Sequence, residues 1–168
     1  MKRSLHILFV LLTIYPLMAS AAPPLWKVYV IPKGMANEYW KIVQQGAEQA
    51  GKDLDVEVYF RGPGEEDNQN AQVTLIRSAL ENGYHGIVLA PSHPGMLSDQ
   101  LQKVRDKGLK TVIIDSAQEG SDYGSFIATD NYMAGRMAAE EMKRLMGDQG
   151  QVLLFRFVEN SASTVRRE

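Results

Sequence analysis

The stretch GIVLAPSHPGMLSDQLQKVRDKGLKTVIIDS, residues Gly86–Ser116, decides the fold. It opens on a short apolar run, Gly86 to Leu89, and closes on another, Thr111 to Ile114. Between them Leu97, Leu101 and Val104 recur at helical spacing. Gly108 stands just past that pattern, where a helix wants a left-handed C-terminal residue. Strand, helix and strand at this spacing make a βαβ unit, whose two strands run parallel. Val112-Ile113-Ile114 has no polar alternation, as expected of a strand covered by helices on both faces.

The same alternation extends outward in both directions. Toward the N-terminus, Lys27 to Ile31 is a β-rich run. A helix over 39–52 carries Trp40, Val43, Ala47 and Ala50. Asp55 to Phe60 alternates like a strand, and a helix over 67–82 places Val73, Ile76 and Leu80 on one face. Toward the C-terminus, Ser125 to Ala128 reads as a fifth strand. A helix over 131–146 follows, then a sixth strand from Gln151 to Val158 and a last helix beginning near Ser163. Gly51 and Gly83 take the same helix-ending place as Gly108. The expected class is α/β, a doubly wound parallel sheet. There is no short-period repeat and no low-complexity stretch.

The N-terminus reads differently. Lys2 and Arg3 are basic, Leu5 to Met18 is apolar apart from His6, Thr13 and Pro16, and Ala19-Ser20-Ala21 is a small-x-small site. That order reads as a secretory signal peptide over 1–21, with Ala22-Pro23-Pro24 opening the mature chain. The apolar run falls short of the roughly 20 residues a membrane span needs. The expected location is the bacterial periplasm. With no cysteine, neither a disulfide framework nor a lipid-modified cysteine anchor is available. Eighteen Lys and Arg against 20 Asp and Glu leave a net charge of −2. No basic stripe points to nucleic acid, and no second apolar segment points to a membrane.

In such a sheet, ligands bind beyond the carboxyl ends of the strands. Those ends hold Pro32 to Trp40, then Arg61 to Gly64, then Ala90 to His93, then Asp115, Ser116 and Gln118. Aromatic rings, a carboxylate, amides and an arginine suit a polyhydroxyl ligand. Flat rings cover the C–H face of a sugar, and Asp, Asn and Arg pair with neighbouring hydroxyls.

Three segments resemble the ribose- and galactose-type periplasmic sugar-binding proteins, the soluble receptors of ABC importers, whose type I fold also serves lactose-repressor effector domains. They are Asn37-Glu38-Tyr39-Trp40 with Gly46-Ala47; Val112 to Ser116 with Ile127 to Asn131 and Gly135; and Asn160 to Thr164 with Arg166-Arg167. The resemblance covers nearly all of the chain after residue 21. It implies that Asn37, Asp115 and Arg167 hydrogen-bond a sugar and that Tyr39 and Trp40 stack on it, with Arg166 a near competitor of Arg167. Arg61 and Asn131 are secondary candidates. Ser116 stands where the ribose receptor has an arginine, which leaves ribose itself open. Glu38 replaces a usual proline and suits a helix start. The resemblance further implies two lobes. Residues 22–128 are expected to form the N-terminal lobe, nearly complete, and 129–168 the truncated start of the second.

The function so implied is capture of a small sugar in an interlobe cleft, without catalysis or cofactor, by a monomer that delivers it to an inner-membrane ABC permease. Three alternatives stand beside it: a sensor docking on a chemoreceptor or sensor kinase, an exported α/β enzyme, and a nonfunctional fragment. Other constellations read plainly. Asp67 is expected to cap the second helix, with Glu65 and Glu66 solvated near its positive end. Asp67 to Asn70 lacks the glycine and closing glutamate of a calcium loop. Gly62-Pro63-Gly64 is no dinucleotide fingerprint. His85 and His93 lack metal-ligand spacing, and Ser163 has no evident base.

Overall fold

A computed structural model of the protein describes residues 25–147 and 149–168; the expected signal peptide lies outside the described residues. Five strands and five helices follow in order. They are β1 (Trp26–Ile31), α1 (Glu38–Leu54), β2 (Val56–Phe60), α2 (Gln69–Glu81), β3 (Gly86–Leu89), α3 (Ser98–Asp106), β4 (Lys110–Ile114), β5 (Ser125–Ile127), α4 (Asn131–Met146) and α5 (Ala162–Arg167). All strand pairs are parallel, in the order β2-β1-β3-β4-β5. The order reverses after β2, so right-handed crossovers put α1 on one face and α2 and α3 on the other. The switch point therefore falls between β1 and β3, where such sheets bind ligands.

Alternate residues of the central strands build the core. Tyr29 and Ile31 of β1, Ile87 and Leu89 of β3 and Ile113 of β4 pack with Ile76 and Ala79 of α2 and Leu101 and Val104 of α3. Register follows the apolar pattern, with Val28 opposite Gly86 and Ile87 opposite Thr111. The loops at the carboxyl edge are tied by one buried side chain. Gln72, fully enclosed on α2, donates to the carbonyls of Pro32 and Ala90 at 3.1 and 2.8 Å and accepts from the Ser92 N–H at 3.0 Å. It joins the exits of β1 and β3.

Three local expectations are corrected. Gly51 lies inside α1, which runs on to close at Asp55 with φ 54°. The glycine serves close approach: a Cβ there would meet the Val56 carbonyl oxygen and Val58 Cγ2, both at 2.8 Å. Asn68, not Asp67, caps α2, its Oδ1 accepting from the Ala71 N–H. Residues 151–158 form no strand; Leu153, Phe155 and Phe157 stand largely exposed. A β-run becomes a strand only where a neighbour completes its hydrogen bonds, and none does so here among the described residues. His85 and His93 are loop residues whose Nδ1 atoms accept from the Lys27 and Gly95 N–H groups.

Candidate functional site

The exits of β1, β4 and β5 and the start of α5 converge on Asp115. Its backbone is left-handed, φ 63°, a conformation that costs a non-glycine residue about 1 kcal/mol or more. The turn is held by its N–H, which donates to the Ile127 carbonyl at 3.0 Å. The bend directs the carboxylate off the strand axis. Oδ2 pairs with Lys33 Nζ at 2.7 Å and accepts from Ser116 Oγ at 3.1 Å, while Oδ1 accepts from Tyr39 Oη at 3.4 Å.

Tyr39 and Trp40 open α1 and diverge. Trp40 is 2% exposed, whereas Tyr39 is 52% exposed with its ring set edge-on to Trp40, centroids 4.9 Å apart. Trp40 Nε1 donates to Glu66 Oε1 at 2.7 Å. Asn37 caps the helix, its Oδ1 accepting from the Trp40 N–H, and its Nδ2 donates to the same Glu66 oxygen at 2.6 Å. Glu66 is thus an anchor for the helix start rather than a solvated carboxylate. Tyr39 is left as the ring that faces outward beside Asp115. Loss of hydration pushes its hydroxyl above the ordinary phenol value, and the Asp115 carboxylate adds to this by charge and hydrogen bond.

The second segment arrives through α4 and α5. Asp130 caps α4 by accepting from the Met133 N–H. Asn131, 6% exposed, donates to the Thr129 carbonyl and accepts from Arg167 Nε at 2.6 Å. Gly135 makes this possible. A Cβ there would lie 2.1 Å from the Arg167 carbonyl oxygen, so only glycine lets α5 pack this close to α4. An open hollow of about 380 Å3 results, lined by Asp115, Phe126, Thr129, Asp130, Asn131 and Arg166. Arg166 lines it directly, while Arg167 spends its Nε on Asn131. A neighbouring hollow of about 440 Å3 includes Asn37, Glu66 and Phe157.

The expected residues therefore divide. Tyr39, Asp115, Ser116, Asn131 and the Arg166-Arg167 pair come together; Asn37 and Trp40 support them from behind. Arg61 lies elsewhere, its guanidinium donating to Tyr59 Oη at 3.4 Å in a cluster with Tyr29 and Tyr84. Sequence reasoning missed Lys33 and Glu66. Lys33 follows the first strand directly, in a run already expected at the ligand edge, and that position was its only signal. Among the described residues no group of His, Cys, Asp or Glu is placed to hold a metal ion, and no helix is long and apolar enough to cross a membrane.

A family model described as a periplasmic binding protein domain matches residues 28–168. The chain belongs to the periplasmic binding protein family. As a member it is similar to the ribose import binding protein RbsB of Bacillus subtilis (strain 168), 20% identical over 99% of this chain and 58% of the relative. A solved solute-binding protein from Agrobacterium vitis with bound D-fucose superposes with TM-score 0.79 at 32% identity, over 84% of this chain and 50% of that one. A carbohydrate transporter solute-binding protein from Agrobacterium radiobacter in complex with D-arabinose gives TM-score 0.80 at 28% identity, over 87% and 51%. This periplasmic binding protein chain thus spans little more than half the length of the relatives it matches. Its five-stranded parallel sheet is the type I fold of these neighbours.

Proposed function

We propose that this chain forms the first lobe and the start of the second lobe of a periplasmic receptor that captures a small sugar for an inner-membrane ABC permease. The observation that carries the reading is the open hollow at the carboxyl edge of the sheet that Asp115, Asn131 and Arg166 line, with Tyr39 hydrogen-bonded to the Asp115 carboxylate beside it. Tyr39 supplies a flat face for the C–H side of a sugar ring. The free face of Asp115 accepts from ring hydroxyls, and Arg166 and the Asn131–Arg167 pair donate from the second lobe. The sugars bound by the neighbouring proteins support this ligand class.

In this reading the lobes divide at about residue 128, with β5 (Ser125–Ile127) in the first and α4 and α5 in the second. Capture by closure of two lobes needs no covalent chemistry. Export by residues 1–21 and work as a monomer complete the proposal. Native mass spectrometry of the protein from its own source is the test. A chain carrying an adduct of pentose or hexose mass, exchangeable with added sugar, is the expected result. Absence of any adduct, with no calorimetric response to neutral pentoses and hexoses, would overturn it.

A further inference from the structure

Lys33 is the most enclosed cation in this region, 4% exposed at the exit of β1. Four oxygens surround its ammonium: Ser116 Oγ at 2.5 Å, Asp115 Oδ2 at 2.7 Å, Ser161 Oγ at 3.0 Å and Ser163 Oγ at 3.3 Å. An ammonium has three protons, so its donors are spent inside the protein. Asp115 is left with one oxygen neutralised by Lys33 and the other turned to the long Tyr39 contact. Ser116 and the two second-lobe serines, also buried, are hydrogen-bonded to one another around the ammonium.

We infer that Lys33 is a positioning residue that sets the charge of the ligand the site accepts. This rests on the sugar-binding reading above. Paired with Lys33, Asp115 offers hydrogen-bond acceptance without net charge. The lining of the hollow also carries one further carboxylate, Asp130, and one guanidinium, Arg166, whose charges are opposite. An uncharged polyol finds acceptors and donors there. A protonated amino sugar finds no net attraction to offset its lost hydration. Removing Lys33 exposes a bare carboxylate, which favours a cation; removing the Asp115 charge leaves a bare ammonium, which favours an anion.

The test is calorimetry at pH 7 on the full chain. D-Glucose, D-galactose and D-allose are each compared with the 2-amino-2-deoxy and uronic acid counterparts. For Lys33→Met we expect the ratio of neutral to amino sugar affinity to fall about tenfold or more. For Asp115→Asn the ratio of neutral sugar to uronate should fall by a similar factor. Lys33→Met/Asp115→Asn removes both charges and should return both ratios toward wild type, even where a single change leaves a buried charge that unfolds the chain. Lys33→Arg should retain the wild-type preference. Sugar binding by the wild type with unchanged ratios in the folded variants would overturn the inference. A wild type that binds none of the panel would instead remove the sugar-binding reading on which it stands.

Discussion

Tyr39 is the residue whose loss the site should feel most directly. Its ring is outward, and its hydroxyl meets the Asp115 carboxylate. Tyr39→Ala should weaken binding of a neutral sugar about tenfold, or about 1.4 kcal/mol, with Tyr39→Phe retaining most of it; equal losses in the two variants would assign the effect to the hydroxyl instead. Gln72 acts through structure alone. Gln72→Leu leaves buried carbonyls and the Ser92 N–H without a partner, and should cost about 2–4 kcal/mol of unfolding free energy in urea. Tyr29 gives a pH signature. Burial, helped by Tyr59 and Tyr84 and opposed by Arg61, pushes it up to about 12. Its folded value lies above the unfolded one near 10. Stability is therefore intact below about pH 10 and falls as pH rises through about 12, because the unfolded chain gives up a proton that the folded chain keeps. Urea midpoints across that range should fall less for Tyr29→Phe than for wild type; parallel curves would show that another group carries the loss.

Among elements, the contrast between β4 and residues 151–158 explains what the sequence revealed. Both are apolar and β-rich. Lys110–Ile114 has β3 and β5 on its two sides, so composition and partner agree. The later run has no such neighbour in the described structure, and propensity alone does not make a strand. The same logic separates the site residues. Asp115 and Ser116 stand at a strand exit, which the fold rule marks, whereas Asn131 entered only through the family resemblance. Lys33 and Glu66 were not readable, because their partners lie 83 and 29 residues away and nothing periodic announces them. Arg61 shows the limit of the rule: it sits at a strand exit but turns to Tyr59. The α4–α5 contact yields a prediction of its own. Gly135→Ala forces α5 from α4, since the Arg167 carbonyl stands where the methyl must go. Faster amide exchange over 162–167 and weaker sugar binding are expected; unchanged exchange would mean that α5 is held by other contacts.

Across the whole molecule, apolar surface is covered unevenly. The first sheet is packed on α2 and α3, while Met137, Leu145, Leu153 and Phe155 show an exposed apolar surface around α4. The described chain should brighten an environment-sensitive hydrophobic dye, as large exposed apolar patches do. A monomer that leaves the dye dark would show the patch covered. The strand order carries a further consequence, one of timing. β1 is made before β2 and β3, yet it sits between them, and Val28 meets Gly86 only after the intervening chain has been made. Long-range parallel pairing is slow to form. The nascent chain thus has no completed sheet centre until about the third strand has been synthesised.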